Sequence, residues 1–196
     1  MQFEKGYLYH IYNQGNNRQK IFFNGENYLF FLRKIKTYIL PYADILSWCL
    51  MPNHFHLMVY VREVALDGKK LGVSLRHAEY KRTFNESIGI LLMSYTKALN
   101  IQQKRTGKLF REATKAECIN CLKGNTPSFV KSEINIKPFE RQYPQICFEY
   151  IHQNPVKAGL VKQTTDWEFS SARDYYAGRP GRLIDKEITR KYITFE

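Results

Sequence analysis

The sequence predicts an α+β fold, in which antiparallel strands and helices share one core. Three observations lead there. Short runs rich in aromatic and β-branched residues alternate with stretches of helical periodicity. Two of those runs, at 43–50 and 54–61, are separated by Met51-Pro52-Asn53 alone, a connection that antiparallel strands can make and parallel strands cannot. The chain has 196 residues, 44% of them apolar and 24% charged, which suits an ordinary globular core.

The elements follow in order. Residues 7–13 (YLYHIYN) read as a strand. Gln14 to Arg18 (QGNNR) is turn chemistry, because Gly and Asn tolerate positive φ. Leu29, Phe30, Leu32, Ile35 and Ile39 recur at helical spacing over 26–39, and Pro41 ends that helix. Strands at 43–50 and 54–61 form a hairpin. The polar, basic stretch 62–82 reads as a loop. Asn85 is a candidate cap for a helix to about Gln103, with Ile88, Leu91, Leu92, Tyr95 and Leu99 as its apolar stripe. Beyond Gly107, residues 108–119 (KLFREATKAECI) read as a strand with basic ends, and 123–138 as a loop. A helix from Glu140 to about Gln153 is interrupted at Pro155, and Gly159 terminates its continuation. A short helix follows Asp185. Two regions are expected: a catalytic domain at 1–165 and an extension at 166–196 packed on or near it.

The hairpin carries the chemistry. In a strand, side chains at i and i+2 share a face. His54 and His56 therefore project together, with Cα atoms about 7 Å apart, while Phe55, Leu57 and Val59 point the other way into a core. Two imidazoles on one face can pinch a divalent metal. A hundred residues later, Tyr150 and Asn154 sit one helical turn apart and share a helix face. Packed over the histidine strand, that helix would aim both at the metal. A phenol is a poor nucleophile near neutrality, since its pKa is about 10. A cation can lower that pKa and polarise a phosphate for attack. Two histidines, an amide and a tyrosine suit one reaction: attack of tyrosine on a DNA phosphodiester. Tyr143, two turns earlier, is the competing nucleophile. Gln153 rivals Asn154 as the third ligand. His10, His77 and His152 read as ordinary residues, and Trp167 as a core plug.

Composition narrows the partner. Thirty Lys and Arg against eighteen Asp and Glu give a net charge of +12, and 15% of residues are aromatic. Cationic grooves with stacking rings are what single-stranded nucleic acid requires. Arg18, Arg105, Lys108 and Arg111 are the candidate phosphate contacts. No apolar run approaches the roughly 20 residues of a membrane span. The N-terminal segment lacks the pattern of a secretion signal, so a cytoplasmic, nucleoid-associated protein is expected. All four cysteines are then expected to be reduced thiols. Cys118 and Cys121 form a lone CxxC, a weak zinc or redox signal.

Taken together, these motifs resemble the single-tyrosine HUH transposases (His-hydrophobe-His, here His54-Phe55-His56), specifically the REP-associated tyrosine transposases and their insertion-sequence relatives. The resemblance rests on Gly15-Asn-Asn-Arg18, Met51-Pro-Asn-His-Phe-His-Leu57, Gly107-Lys-Leu-Phe-Arg111, and Tyr150-Ile-His-Gln-Asn-Pro-Val-Lys-Ala-Gly-Leu-Val161. It spans most of residues 7 to 173. It implies a ferredoxin-like or RRM-like antiparallel sheet with helices on one side. His54, His56 and Asn154 are then the metal ligands, for Mg²⁺ or Mn²⁺, and Tyr150 the nucleophile. The implied substrate is single-stranded DNA beside a hairpin, and the implied product a 5′-phosphotyrosine with a free 3′-OH. Some relatives are dimers that exchange the tyrosine helix, so monomer and homodimer both stay open. Three other readings compete: a non-cleaving hairpin-binding protein on the same fold, a replication-initiator or relaxase type of HUH nuclease, and an RNA-binding RRM-like module.

Overall fold

A computed structural model of the chain describes residues 2–67, 80–121, 127–128 and 143–195. Its main elements are β1 (Leu8–Gln14), α1 (Gly25–Tyr38), β2 (Ala43–Met51), β3 (His54–Val61), β4 (Ala65–Asp67), β5 (Lys81–Thr83), α2 (Phe84–Gln102), β6 (Lys115–Cys118), α3 (Tyr143–Lys157), α4 (Ala172–Tyr176) and α5 (Lys186–Arg190). Strands β2-β3-β1-β6, in that order, form one sheet with every neighbour antiparallel. Leaving aside the β4–β5 ribbon, β1-α1-β2-β3-α2-β6 in this strand order is the ferredoxin-like arrangement. The expected fold class is the one observed.

Local chemistry explains most boundaries. Asn24 starts α1 by accepting from the Asn27 amide. Thr83, not Asn85, starts α2. Its hydroxyl accepts from the Glu86 amide while the Glu86 carboxylate accepts from the Thr83 amide, a reciprocal capping box. Asn85 sits inside the first turn. Asp185 caps α5 by accepting from the Ile188 amide at 2.8 Å.

Four other expectations need correction. Part of the 62–82 stretch is not loop, since Ala65–Asp67 and Lys81–Thr83 pair as a ribbon; residues 68–79 lie outside the described set. The predicted strand at 108–119 is realised only at 115–118. Upstream of it, the Asn13 side chain donates to the Arg111 carbonyl, a group that a continued ladder would use, and to the Thr114 hydroxyl, and pairing recurs only as an isolated Gly15–Phe110 bridge. Helix α3 runs through Pro155 to Lys157, because the next turn keeps its own bonds, with the Ala158 amide on the Asn154 carbonyl at 3.0 Å. Gly159, at φ +67°, ends it as expected. Finally, Cys118 and Cys121 are joined as a disulfide. The bend after β6 brings their Cα atoms to 5.8 Å, within bridging range. Cys49 and Cys147 are free and buried. The predicted loop at 123–138 lies almost wholly outside the described residues.

The sheet is covered on both faces, not on one. Tyr9, Ile11, Ile45, Phe55, Leu57 and Val59 pack with Phe31 and Ile35 of α1 and Ile88, Leu91, Tyr95 and Leu99 of α2. On the other face Leu8, Leu46, Cys49 and Met58 pack with Cys147, Phe148 and Ile151 of α3 and with Ile193. A strand that is apolar in both directions has to be buried on both sides, and α3 supplies the second cover.

The C-terminal segment fastens α3. Ser170 bridges to Cys49, Ser171 Oγ accepts from the Trp48 amide at 2.9 Å, and His152 Nε2 of α3 lies 2.7 Å from the same hydroxyl. Trp167 is the expected plug: it packs against both core clusters and donates to the Leu50 carbonyl. Burial drives the His152 pKa down to about 3. An unfolded histidine titrates near 6.5, so between about pH 6.5 and 3 the unfolded chain holds the extra proton and is favoured. Stability is therefore expected to fall by about 1.4 kcal/mol per pH unit on this group's account as pH drops through that window. His152→Gln should show a shallower acid limb in urea unfolding measured from pH 7.5 to 4.

Candidate active site

Strand register assembles the site. In the β1–β3 ladder Tyr12 lies opposite His56 and Gln14 opposite His54. In the β1–β6 ladder Glu117 lies opposite His10. Alternation then puts His54, His56, His10, Tyr12 and Glu117 on the face that α3 covers. The His54 and His56 ring centroids are 4.9 Å apart. Both candidate ligands thus share a face, as the spacing predicts.

Two interlocked turns hold the histidine end of the sheet. The Gly15 amide donates to the Asn53 carbonyl at 2.8 Å, and the Ile21 amide to the Pro52 carbonyl at 2.8 Å. Gly15 is there for space: a Cβ would sit 2.2 Å from the Gln19 carbonyl oxygen. Asn17 and Arg18 take positive φ, at 51° and 58°. Asn53 Nδ2 donates to the Arg18 carbonyl, which turns its Oδ1 toward His54. That oxygen lies 2.6 Å from His54 Nδ1. An amide oxygen only accepts, so His54 carries its proton on Nδ1 and leaves Nε2 as a lone pair.

Burial sets the charge state. His56 is 5% exposed and His10 1%. Burial pushes His56 well below the ordinary histidine range, and nearby His10 and His54 push the same way. It lowers His10 to about 4, against the pull of the Glu117 carboxylate. His54 is lowered by burial, partly offset by a hydrogen bond to Asn154. At neutral pH all three rings are uncharged, the form that binds metal.

Helix α3 brings in the remaining side chains. The Tyr150 ring stands edge-on to His56, with centroids 5.4 Å apart. Asn154, one turn on, donates to the Tyr150 carbonyl at 2.7 Å. Burial raises the Tyr150 pKa, and a side-chain hydrogen bond with Asn154 opposes that rise. Asn154 thus touches both His54 and Tyr150. Gln153 is exposed. Tyr143 lies at the far end of α3, packed on the second core cluster. His152 points to Ser171, so it is ordinary, as expected. His77 lies outside the described residues.

The residues fit a divalent cation in a particular way. His56 Nε2 is buried with no hydrogen-bond partner among the described residues, and a buried polar atom without a partner calls for an explanation. The His54 ring lies 4.9 Å from the His56 ring, centroid to centroid, and Asn154 hydrogen-bonds His54. Among the described residues no three His, Cys, Asp or Glu side chains cluster to hold a metal. The available set is two neutral imidazoles and one amide oxygen. Imidazole suits Mn²⁺ better than Mg²⁺, which prefers oxygen donors.

Sequence reasoning missed several neighbours. His10, expected to be ordinary, has Nε2 2.9 Å from His56 Nδ1. Tyr12 donates to Glu117 at 2.8 Å. The Lys157 ammonium lies 5.7 Å from the centre of the Tyr150 ring. His10 and Tyr12 repeat the i, i+2 spacing of His54 and His56; without the strand register, that signal pointed nowhere.

The candidate DNA contacts gather at the same end of the sheet. Exposed Arg18 sits in the turn whose Gln19 side chain donates to the Leu109 carbonyl. The Arg111 amide bonds Gln14, which is paired with His54. Arg105, Lys108 and Arg111 line an open groove of about 750 Å³ between α2 and residues 105–114, together with Lys97, Met93 and Ile101.

With the fold and site in view, one likeness among solved structures stands out. It is the structure of a REP-associated tyrosine transposase bound to a REP hairpin, matched with a TM-score of 0.58 over 94% of this chain and 92% of that one. The chain has that protein's fold. Sequence identity is 18%, so the likeness is one of architecture. No family model matches the sequence, and neither does any curated protein. Among the described residues no helix is long and apolar enough to cross a membrane.

One test addresses the Asn154 bridge directly. Asn154→Ala is expected to raise the Tyr150 pKa further, because the hydrogen bond that opposes burial is removed. Titration of ¹³Cζ-labelled tyrosine by NMR, with Tyr150→Phe to assign the resonance, reads the shift.

Proposed function

We propose that this chain is a single-tyrosine HUH transposase of the REP-associated kind, cleaving and rejoining single-stranded DNA beside hairpins in a bacterial cytoplasm. The observation that carries the proposal is the meeting of Tyr150, Asn154, His54 and His56 on one buried sheet face. The likeness to a hairpin-bound transposase supports it. So does the +12 charge, with Arg18, Arg105, Lys108 and Arg111 at the same end of the sheet. A single chain supplies all four site residues.

In this reading the Tyr150 oxygen attacks the scissile phosphorus, the bond from phosphorus to the 3′ oxygen breaks, and the phenol gives up its proton while the leaving 3′ oxygen gains one. The DNA is left with a free 3′-OH and with its 5′ phosphate on Tyr150. One phosphodiester is exchanged for another ester, so a 3′-OH can reverse the reaction. Asn154 holds Tyr150 and His54 in one arrangement, which lowers the entropy cost of reaching the in-line geometry. A divalent cation, Mn²⁺ or Mg²⁺, held by His54, His56 and Asn154 would act as a Lewis acid on the phosphate. Lys157 adds positive charge beside the phenol, and the groove cations position the backbone.

Covalent trapping tests this. Incubation with Mn²⁺ and labelled single-stranded hairpins from the protein's own genomic flanks is expected to give a denaturant-resistant adduct. Chelation and Tyr150→Phe should each abolish it. Asn154→Ala should reduce it by at least the roughly 10–100-fold typical of an outer-shell partner. An adduct that survives Tyr150→Phe moves the nucleophile elsewhere. Tight hairpin binding without an adduct, across hairpins that retain their flanking bases, identifies a non-cleaving binder. In a separate binding assay, Lys108→Ala and Arg111→Ala should each weaken all hairpins alike and lower the salt slope by about one.

A further inference from the structure

His10 is buried on the central strand β1, and its Nε2 lies 2.9 Å from His56 Nδ1. Two neutral rings in this contact share one proton between the facing nitrogens, which allows two arrangements. In the first, His10 carries the proton and donates to His56 Nδ1. His56 must then carry its own proton on Nε2 and has no lone pair there to offer a metal. In the second, His56 carries the proton on Nδ1 and donates it to His10 Nε2, and His10 carries its own proton on Nδ1. His56 Nε2 is then a lone pair, as His54 Nε2 is when Asn53 accepts the Nδ1 proton, and the two rings are 4.9 Å apart.

We propose that His10 is a positioning residue: it accepts the Nδ1 proton of His56 and so fixes the tautomer in which His56 Nε2 can bind a divalent cation. The idea rests on the metal-site reading given above. Metal-binding histidines usually donate their other ring proton to a carboxylate, a carbonyl or water. Here a second imidazole takes that place. The ring planes support the geometry: His10 and His56 are tilted by only 19° with centroids 5.1 Å apart, so they meet edge to edge as an N–H···N bond requires, and the Tyr12 ring lies 4.7 Å from His10 and 5.8 Å from His56. Glu117, directly across the β1–β6 ladder from His10, places a negative charge behind the pair. Asn53, His10 and Glu117 then form the outer layer of the site, and His54, His56 and Asn154 the inner one.

Two measurements test the proposal. Long-range ¹H–¹⁵N NMR of the metal-free protein at pH 7.5 reads ring protonation without any metal or activity. His56 is expected to show a protonated Nδ1 and a bare Nε2, and this signature should be lost or mixed in His10→Phe. Mn²⁺ titration of the protein alone, followed by EPR, is expected to show 10–100-fold weaker binding in His10→Phe. His10→Gln, whose amide oxygen can accept the same proton, should recover part of the loss; it also serves if the Phe variant fails to fold. A wild-type His56 protonated on Nε2, or a folded His10→Phe with unchanged Mn²⁺ affinity and unchanged tautomer, overturns the proposal. A wild-type protein that binds no Mn²⁺ sinks the metal-site reading instead, and with it the role given to His10, even where the NMR shows the Nδ1 tautomer.

Discussion

Strand β3 is closed in on both faces, and most of the site's properties follow from that enclosure. Phe55, Leu57 and Val59 pack under α1 and α2, while His54 and His56 look toward α3 in the same strand. A cationic imidazole at such a place would lose its hydration without a carboxylate in contact to compensate. The rings are therefore neutral, and each proton has to be assigned to one nitrogen. Asn53 makes that assignment for His54 by offering only an acceptor. Burial thus converts a question of charge into one of tautomers. The turns and β1 answer it.

The same enclosure explains why the C-terminal segment matters to a site it does not enter. Helix α3 carries Tyr150 and Asn154 on one side and His152 on another. His152 meets Ser171, and Ser171 is bonded to the β2 backbone at Trp48. The rotational setting of α3 about its own axis, and so the aim of Tyr150, is fixed on the side away from the chemistry.

Much of this was legible in the sequence. The His54–His56 alternation, the Tyr150–Asn154 spacing and the hairpin between β2 and β3 follow from local periodicity, which needs no partner strand. The start of α2 was misplaced by two residues because Asn85 and Thr83 are both good caps, and only the reciprocal bond with Glu86 separates them. His10 was passed over because its role depends on which residue of β3 it faces. That register arises from packing between distant segments. The Cys118–Cys121 bridge was missed for a related reason: the bend that brings the two together follows a strand whose end the sequence did not mark.

A donor set without formal charge has a consequence for how the site is filled. A dication between two imidazoles and an amide would have no anionic ligand among the described residues, and only Glu117, one layer out, to offset its charge. A bound phosphodiester would supply that anion. By linkage, whatever affinity the anion adds to the cation, the cation returns to the anion in equal measure. Each ligand would then bind more tightly in the presence of the other than alone. On the proposed reading, substrate binding would tighten the hold on the cation without any moving part.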